Sequence, residues 1–308
     1  MRGLTDVDYV LGKLRWMEQS RIWPNGSRYL WTDAFGVVLL VSLFHHSGEA
    51  SYLARAKQVV ADVERVLGRR RGLRIGEAPE RDGQYFHYLA MWLYALAMLG
   101  RFDADYTRRG VAIVRDVHDA FVIPRHGVIW KMREDLSGPY PGYGFGALDA
   151  FDGYVSYRLL DPHALARQID DMRALIDATY GELFVTQDLG LGMMLWLSHF
   201  FPDERWAKLQ SRRALATLDR MWCDEKYFCR EPDERATKFA FTNYGVSIGL
   251  QAVNAQPSRV GALNAFFDSY RSRDHYDRDA ITHVMACSSH FPGLLLADNL
   301  RAIEPDAR

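Results

Sequence analysis

The amino-acid sequence predicts an all-α fold, an (α/α)6 toroid in which six helical hairpins form an inner and an outer ring of six helices. Segments with one charged face alternate strictly with apolar segments that contain glycine, six of each kind. The connections alternate in length as well. Connections from an apolar segment to the next charged one are short, and connections from a charged segment to the next apolar one are long. We therefore expect a single domain over residues 1–308, and the pattern requires no β-sheet.

Amphipathic segments are predicted to form the outer ring. In the segment 50–69, for example, Leu53, Val60 and Leu67 fall on one stripe, with arginine and lysine residues opposite. Such a helix buries one face and exposes the other to water. The predicted outer helices are 5–19, 50–69, 105–121, 162–180, 204–221 and 258–272.

Apolar segments are predicted to form the inner ring. The segment 82–99 is apolar nearly all round, so we expect it to be covered on most sides. Long loops precede these helices, so the N-terminal ends of the helices lie on the same face of the protein as the loops. We expect these ends to form a polar pocket, which favours anions because helix N-termini carry unpaired N–H groups and partial positive charge. The predicted inner helices are 32–47, 82–99, 146–160, 186–201, 242–255 and 282–296.

The composition argues against several classes of protein. The 38 basic and 39 acidic residues give a net charge of −1, which argues against nucleic-acid binding and against an anionic membrane surface. Three cysteines are an odd number, which argues against a disulfide framework and favours the cytoplasm. We find neither a signal peptide nor an apolar run of about 18 residues, so we expect no membrane span.

Polar and aromatic residues open each predicted inner helix. N-capping is one explanation for Thr32, Thr186, Thr242 and Thr282. Other residues at these helix starts are candidates for substrate binding. The longest loop is predicted to form a lid over a polar ligand, so its residues are candidates as well. The predicted substrate-binding residues are Trp31, Asp82, Gln84, Tyr85, Trp130, Lys131, Tyr143, Asp188, Asn243, Tyr244 and His283.

Asp149 and Asp152 are the main candidates for catalysis. They are three residues apart, so both project from one helix face, just after a glycine-rich stretch. Two carboxylates this close raise the pKa of one of them, which yields an acid and a base. We predict that one of the two is the general acid and that Asp33 assists. A helix cap plus a surface aspartate is the alternative explanation.

His87 is the fourth predicted catalytic residue, as a proton shuttle or a ligand for a hydroxyl group. It follows Gln84 by three residues and is expected to share a helical face with that amide. A hydrogen-bonded core histidine is the alternative explanation. The sequence contains no HExxH, zinc-knuckle, GxGxxG or P-loop pattern, so we predict neither a metal nor a cofactor.

Five motifs connect the sequence with known proteins: WTDAF at 31–35, LRIG at 73–76, RDGQYFHYL at 81–89, WKMREDLS at 130–137 and DAFDG at 149–153. They are similar to motifs of an uncharacterised bacterial family. The chain departs from that family in a shorter loop between Arg71 and Leu73 and in lacking a histidine before Asp149. The hairpin architecture resembles the six-hairpin glycosidase-like superfamily, which includes glycoside hydrolases, unsaturated glucuronyl hydrolases and sugar 2-epimerases.

The residues and the resemblance together predict a carbohydrate-active enzyme, similar to a glycoside hydrolase, that acts on a sugar or uronide by Asp-based acid and base chemistry. Epimerisation would instead rely on a pair of histidines such as His87 and His283. A terpenoid-type cyclase or isomerase is an alternative, although DxDD motifs and QW repeats are absent. A non-catalytic ligand-binding toroid is another alternative. The expected partner is a small-molecule substrate, a saccharide, whose identity stays open together with the oligomeric state.

Overall fold

Alternating helices make up most of the structure, a computed structural model that describes residues 6–24, 26–223, 239–271 and 275–301. Each of the twelve predicted segments overlaps one of these helices, and the short last helix lies outside them. In chain order they are α1 (Val7–Gln19), α2 (Leu30–Ser47), α3 (Ala50–Leu67), α4 (Phe86–Gly100), α5 (Ala104–Phe121), α6 (Asp149–Leu160), α7 (Ala166–Thr179), α8 (Asp188–Ser198), α9 (Arg205–Cys223), α10 (Ala240–Ala252), α11 (Pro257–Ser269), α12 (Ala280–His290) and α13 (Ala297–Leu300).

The chain divides into two compact units. The first unit is Ser27–Gly181, and the second unit combines Met1–Gly26 with Glu182–Arg308. The prediction of a single domain over residues 1–308 stays a prediction.

Three inner helices form the core of the first unit. In α2, every residue from Leu30 to Leu43 is buried. Helix α4 is buried along most of its length and packs against both α2 and α6. Helices α3, α5 and α7 each bury one face, against α2, α4 and α6 respectively. The predicted alternation of buried and amphipathic helices is confirmed in this unit.

The second unit repeats this pattern. Helix α10 packs against both α8 and α12, while α9 covers α8, α11 covers α10 and α1 covers α12. A Cβ atom at Gly192 would lie 2.4 Å from the carbonyl oxygen of Gly245, and one at Gly249 would lie 2.2 Å from that of Gly192. Larger residues at these positions would have to displace backbone, so the glycines allow the close approach of α8 and α10.

Four two-residue strands occur in the loops of the first unit, where the sequence pattern required no sheet. They are β1 (Gln84–Tyr85), β2 (Val122–Ile123), β3 (Gly127–Val128) and β4 (Lys131–Met132). β1 pairs antiparallel with β4, and β2 pairs antiparallel with β3. Both pairs involve the segment 122–145, the longest of the predicted loops, so they brace the loop that precedes α6.

The helix predicted to begin at residue 82 begins only at Phe86. The Asp82 carboxylate accepts hydrogen bonds from the backbone N–H groups of Ile75, Gly76 and Gly83, at 3.2, 3.2 and 2.9 Å. These bonds hold the chain in a loop just before β1, which then pairs with β4. Tertiary contacts therefore override the helical pattern at this end.

The helix predicted over 282–296 also differs, because α12 ends at His290. Pro292 follows two residues later, and the residue before a proline is disfavoured in the helical conformation. A short 3₁₀ turn, Gly293–Leu295, replaces the end of the predicted helix.

Helix α2 is long and apolar enough to cross a membrane, which corrects the expectation that no segment reaches this length. Its 18 residues have a mean hydropathy of 1.2, and 78% of the helix is buried inside the protein. A core helix passes the same test of length and composition, and the burial of α2 favours that explanation.

Candidate active site

The first turns of α4 and α6 bring His87 and Asp152 together. The Nδ1 atom of His87 lies 2.7 Å from the Oδ2 atom of Asp152. An ionised carboxylate only accepts hydrogen bonds, so Nδ1 carries a proton and donates it to this bond. In a neutral ring, Nε2 is then the nitrogen that can accept a proton.

Aromatic side chains fix the ring of His87 from one side. The His87 ring stacks on Trp31, with centroids 4.6 Å apart and planes 28° apart. Trp31 also packs against Tyr88, whose hydroxyl lies 2.7 Å from that of Tyr29. The His87 side chain keeps 17% of its surface exposed, and within the described residues its Nε2 atom has no hydrogen bond. The ring is thus held in place with one nitrogen available.

The Asp152 carboxylate also sets the charge of His87. Burial by itself disfavours a charged imidazolium, but the adjacent Asp152 carboxylate more than offsets this effect and raises the pKa of His87 above its ordinary value. Asp149 adds a smaller contribution in the same direction when it is ionised. In the His87–Asp152 pair, the Asp152 anion therefore stabilises the protonated form of His87, which is the property that a general base requires.

Asp149 lies on the same turn of α6 and is 4% exposed. Burial, reinforced by the negative charge of Asp152, raises its pKa to about 8. Its Oδ1 atom is buried and has no hydrogen-bond partner among the described residues. The carboxyl group packs directly on Gly146, where a Cβ atom would overlap Oδ2. Asp149 is therefore a neutral acid at pH 7, in a space that only glycine at position 146 leaves open.

Lys131, from the longest loop, is buried rather than presented to solvent. Its side chain is 1% exposed and donates hydrogen bonds to the Arg81 carbonyl and to Glu77. Its ammonium group also lies 4.6, 4.4 and 5.1 Å from the ring centroids of Tyr85, Tyr140 and Tyr143. Lys131 therefore fastens the loop to the segment before α4.

Trp130, next to Lys131, is the exposed residue of this loop. It is 44% exposed and stacks on Tyr85, with centroids 5.7 Å apart and planes 14° apart. Tyr143 packs edge-on against the Trp130 ring at 5.3 Å. Of the aromatic residues predicted to bind substrate, Trp130 offers the most accessible ring face.

Asp33 and Gln84 are engaged in structural contacts. Asp33 is fully buried, forms an ion pair with Arg28 at 3.1 Å and accepts a hydrogen bond from the Tyr29 backbone N–H. Gln84 donates to the backbone carbonyls of Arg71 and Glu134, at 2.8 and 2.7 Å. The prediction that Gln84 shares a helical face with His87 is wrong, because residue 84 lies in β1. Asp82 forms an ion pair with Arg74 besides its backbone contacts.

A second polar cluster occupies the helix starts of the second unit. The Asp188 carboxylate accepts hydrogen bonds from Thr242 Oγ1 at 2.8 Å and from Asn243 Nδ2 at 3.2 Å. It also accepts one from the Leu189 backbone N–H at 2.7 Å. Asp188 and Asn243 therefore tie the N-terminal ends of α8 and α10 together.

His283, in the first turn of α12, is 9% exposed. Neither of its ring nitrogens has a hydrogen-bond partner in the part of the chain that the structure describes. Burial, reinforced by the positive charges of Lys13 and Arg271, lowers its pKa to about 4. His283 is therefore neutral at pH 7. Its ring packs nearly perpendicular to that of Trp16, with the ring centroids 4.7 Å apart.

Tyr244 is directed toward Asp268, a residue that the sequence did not single out. The hydroxyls of Tyr244 and Tyr9 donate to Asp268 Oδ1 at 2.7 and 2.8 Å, and His290 lies 2.9 Å from Oδ2. Tyr9 and Asp268 are 259 positions apart on predicted outer helices, so no local pattern could have paired them. Over the described ranges, no group of three or more His, Cys, Asp or Glu side chains is arranged to hold a metal ion.

Three solved structures share this fold. Cellobiose 2-epimerase from Spirochaeta thermophila matches with a TM-score of 0.60 and 13% identity, over 94% of this chain and 98% of its own. A sugar epimerase from a ruminal bacterium matches with a TM-score of 0.59 and 11% identity, over 87% of this chain and 85% of its own. Cellobiose 2-epimerase from Bacillus thermoamylovorans matches with a TM-score of 0.51 and 11% identity, over 90% and 86%.

At these identities the likeness concerns the fold. The predicted fold class, an all-α (α/α)6 toroid, is confirmed. No family model matches the chain, and no curated protein matches it either. The motifs that resemble an uncharacterised bacterial family therefore stay a prediction.

Proposed function

We propose that this protein is a carbohydrate-acting enzyme that transfers a proton at the carbon next to the carbonyl group of a reducing sugar. The observation that carries the proposal is the hydrogen bond between His87 Nδ1 and Asp152 Oδ2, 2.7 Å long, which leaves Nε2 available. Asp152 fixes the tautomer and stabilises the imidazolium that forms when Nε2 takes a proton. His87 is the general base, and Asp152 is its positioning residue.

Asp149 supplies the acid for the same step. With a pKa of about 8, its carboxyl group is protonated at pH 7 and can donate a hydrogen bond to the carbonyl oxygen of the sugar. The C2–H bond breaks, and its proton goes to Nε2 of His87. Its electron pair forms the C1–C2 double bond while the C1=O π bond breaks, and O1 takes the proton of Asp149 to give an enediol. Return of the proton from Nε2 to the same face of C2 gives the starting sugar, protonation of the opposite face by solvent gives its epimer, and return to C1 gives the ketose. Asp149 regains its proton when the carbonyl group forms again, so protons and electrons balance over the cycle.

The comparisons support a sugar as the substrate, since the proteins with this fold include sugar 2-epimerases. The aromatic residues Trp130 and Tyr143 support it as well, because aromatic rings stack on the apolar faces of sugars. We place the protein in the cytoplasm, where its odd number of cysteines would remain reduced.

Glycoside hydrolysis is the second candidate, favoured by the protonated carboxyl group of Asp149, which is what a general acid requires. Hydrolysis also needs a second carboxylate across the scissile bond. Asp152 projects from the same helix face as Asp149 and is already bonded to His87. This arrangement fits proton transfer by His87 better than it fits a pair of hydrolytic carboxylates.

Deuterium exchange tests the proposal. The protein is incubated in D₂O with glucose, mannose and cellobiose, and proton NMR follows the loss of the C2–H signal and the appearance of an epimer or ketose. We expect exchange with at least one of these sugars and loss of exchange in the His87→Asn variant. His126→Asn is the matched control, because His126 is exposed and, among the described residues, its ring forms a hydrogen bond with the Pro124 carbonyl alone.

Exchange that persists at the parental rate in His87→Asn would contradict the role of His87. Release of nitrophenol from nitrophenyl glycosides, without C2–H exchange and abolished by Asp149→Asn, would replace the proposal with hydrolysis.

A further inference from the structure

A cavity of about 620 Å³ lies in the second unit at the C-terminal ends of α8 and α10. Ser198 and Ala252, the last residues of these two helices, form part of its wall. The N-terminal ends of the same helices carry Asp188 and Asn243, so this cavity is separate from the pocket that the sequence predicted. Its volume falls within the range of about 300–1,000 Å³ that is usual for small-molecule sites.

The cavity wall carries an excess of positive charge. Lys208, Arg212 and Arg301 line it, together with the carboxylate of Asp298, and Lys208 also lies 3.5 Å from the fully exposed carboxylate of Asp203. Asp298 lies 3.9 Å from Arg301, and both side chains are largely exposed, so this ion pair holds neither group firmly. The wall therefore attracts an anionic group.

His199 also lines this cavity but carries no charge at neutral pH. Burial lowers its pKa to about 4, and its Nε2 atom accepts a hydrogen bond of 2.9 Å from the Ala297 backbone N–H. This bond fixes the start of α13 against the end of α8. This part of the cavity wall is therefore fixed by contacts between the end of α8 and the start of α13. The side chains of Lys208, Arg212 and Arg301 are exposed.

The cavity also contains groups that suit hydroxyls. Ser198 lines the cavity but is 2% exposed, and its buried Oγ atom has no hydrogen-bond partner among the described residues, so the hydroxyl has to turn toward the cavity to meet a ligand. The last carbonyl groups of a helix lack partners within the helix and accept hydrogen bonds from other donors. Those of Leu195, Gly249, Leu250 and Gln251 already accept backbone N–H groups of the residues that follow. The carbonyl groups of Ser198 and Ala252, at the very ends of α8 and α10, are therefore the ones that a ligand hydroxyl would meet. Two helix C-termini also bring partial negative charge, which disfavours a bare anion. A ligand that carries hydroxyl donors as well as an anionic group would meet both requirements.

We propose that this cavity binds a phosphorylated sugar or polyol. Its phosphate group contacts Lys208 and Arg212, and its hydroxyl groups contact Ser198 and the carbonyl ends of α8 and α10. Arginine and lysine are the usual partners of phosphate oxygens in proteins. The inference rests on the second unit alone and does not depend on the role of His87.

Isothermal titration calorimetry with glucose 6-phosphate tests the proposal, with glucose and inorganic phosphate as the two partial ligands. We expect saturable binding of glucose 6-phosphate that is tighter than that of either partial ligand. The double variant Lys208→Ala/Arg212→Ala should weaken binding by about tenfold or more, because it removes both phosphate contacts. Ser198→Ala should weaken binding less, since it removes a single hydroxyl contact.

Two controls make the result specific. Arg65→Ala/Arg108→Ala removes the same charge from exposed side chains of the first unit and should leave the affinity unchanged. His87→Asn should also bind glucose 6-phosphate normally, and loss of binding there would move the ligand to the proposed active site.

Absence of saturable binding to the parental protein, or equal affinity in the Lys208→Ala/Arg212→Ala variant, would overturn the proposal. Inorganic phosphate that binds as tightly as glucose 6-phosphate would overturn the sugar part of it.

Discussion

The Asp152 carboxylate and the Nδ1 atom of His87 lie 2.7 Å apart, although the two residues are 65 positions apart in the sequence. Each lies in the first turn of an inner helix, and these helices, α4 and α6, pack side by side. The contact joins two predicted catalytic residues into one pair. It also gives the two aspartates of α6 different roles, since Asp152 positions the histidine and Asp149 stays protonated beside it.

Replacement of Asp152 by asparagine tests this division. Asp152→Asn keeps the side-chain shape but removes the anion that raises the pKa of His87, while the burial that lowers it remains. We expect the pKa of His87 to fall and turnover to fall about a hundredfold, since general-base catalysis contributes on this order. NMR titration of the His87 ring measures the first effect. Asp171→Asn is the matched control, because Asp171 pairs with His118 instead. An unchanged pKa of His87 in Asp152→Asn would refute the pairing.

The pH dependence of the reaction follows from the same two groups. His87 acts as a base only when Nε2 is unprotonated, so activity rises with pH through its raised pKa. Asp149 acts as a donor only when protonated, so activity falls again above its pKa of about 8. We expect a bell-shaped profile of kcat/KM, with the alkaline limb lost in Asp149→Asn. An alkaline limb that remains in that variant would assign it to another group.

Asp149 also makes stability depend on pH. Its pKa is about 8 in the folded protein, whereas the ordinary pKa of an aspartate, which applies to the unfolded chain, is 3.8. Between these values the folded protein holds a proton that the unfolded chain has released, so the free energy of unfolding falls as pH rises. Above pH 8 the buried carboxyl group must ionise in the folded protein, and the full decrease in the free energy of unfolding is then present. Asp149→Asn removes this dependence.

Urea unfolding at pH 5 and at pH 8 measures this effect. Relative to the parental protein, Asp149→Asn should gain on the order of a few kcal/mol in free energy of unfolding between the two pH values. An equal effect of the substitution at both pH values would show that Asp149 is ionised in the folded protein throughout.

The sequence predicted the helices well because their periodicity is a local property. The buried face of α3, for example, follows directly from the stripe that contains Val60 and Leu67. The spacing of Asp149 and Asp152 likewise predicted two carboxylates on one helix face. Even the end of α12 had a local signal, since Pro292 follows it closely.

Contacts between distant segments were not predictable in this way. Gln84 and Tyr85 continue the apolar pattern of α4, but pairing of β1 with β4, more than 40 residues later, makes them a strand. Lys131 is a charged residue in a long loop, which predicts an exposed lid residue. Its ammonium group is instead enclosed by the rings of Tyr85, Tyr140 and Tyr143. The partner of His87 could not be identified because nothing in one sequence aligns α4 with α6.

The buried ammonium group of Lys131 contributes to the stability of the loop. Lys131→Met keeps most of the stem but removes the charge, and it leaves the Arg81 carbonyl without its donor. We expect a loss of about 2 kcal/mol in the free energy of unfolding, from the hydrogen bonds to the Arg81 carbonyl and Glu77 and the contacts with three aromatic rings. Lys57→Met is the matched control: its ion pair with Asp103 is more than one-third exposed and should contribute less than about 1 kcal/mol. Equal losses in the two variants would contradict the structural role of Lys131.

The closest helix contact of the second unit gives the last prediction. In Gly249→Ala, the new Cβ atom would lie 2.2 Å from the carbonyl oxygen of Gly192, so α8 and α10 must move apart. We expect a loss of about 3 kcal/mol in the free energy of unfolding, at the upper end of what overpacking costs. Gly261→Ala, in α11, has no atom within 4 Å of the new Cβ and should instead gain about 0.5–1 kcal/mol, because alanine favours helix more than glycine does. Chemical denaturation measures both variants. A stabilising Gly249→Ala would mean that α8 and α10 separate at little cost, and that their glycines do not set the distance between them.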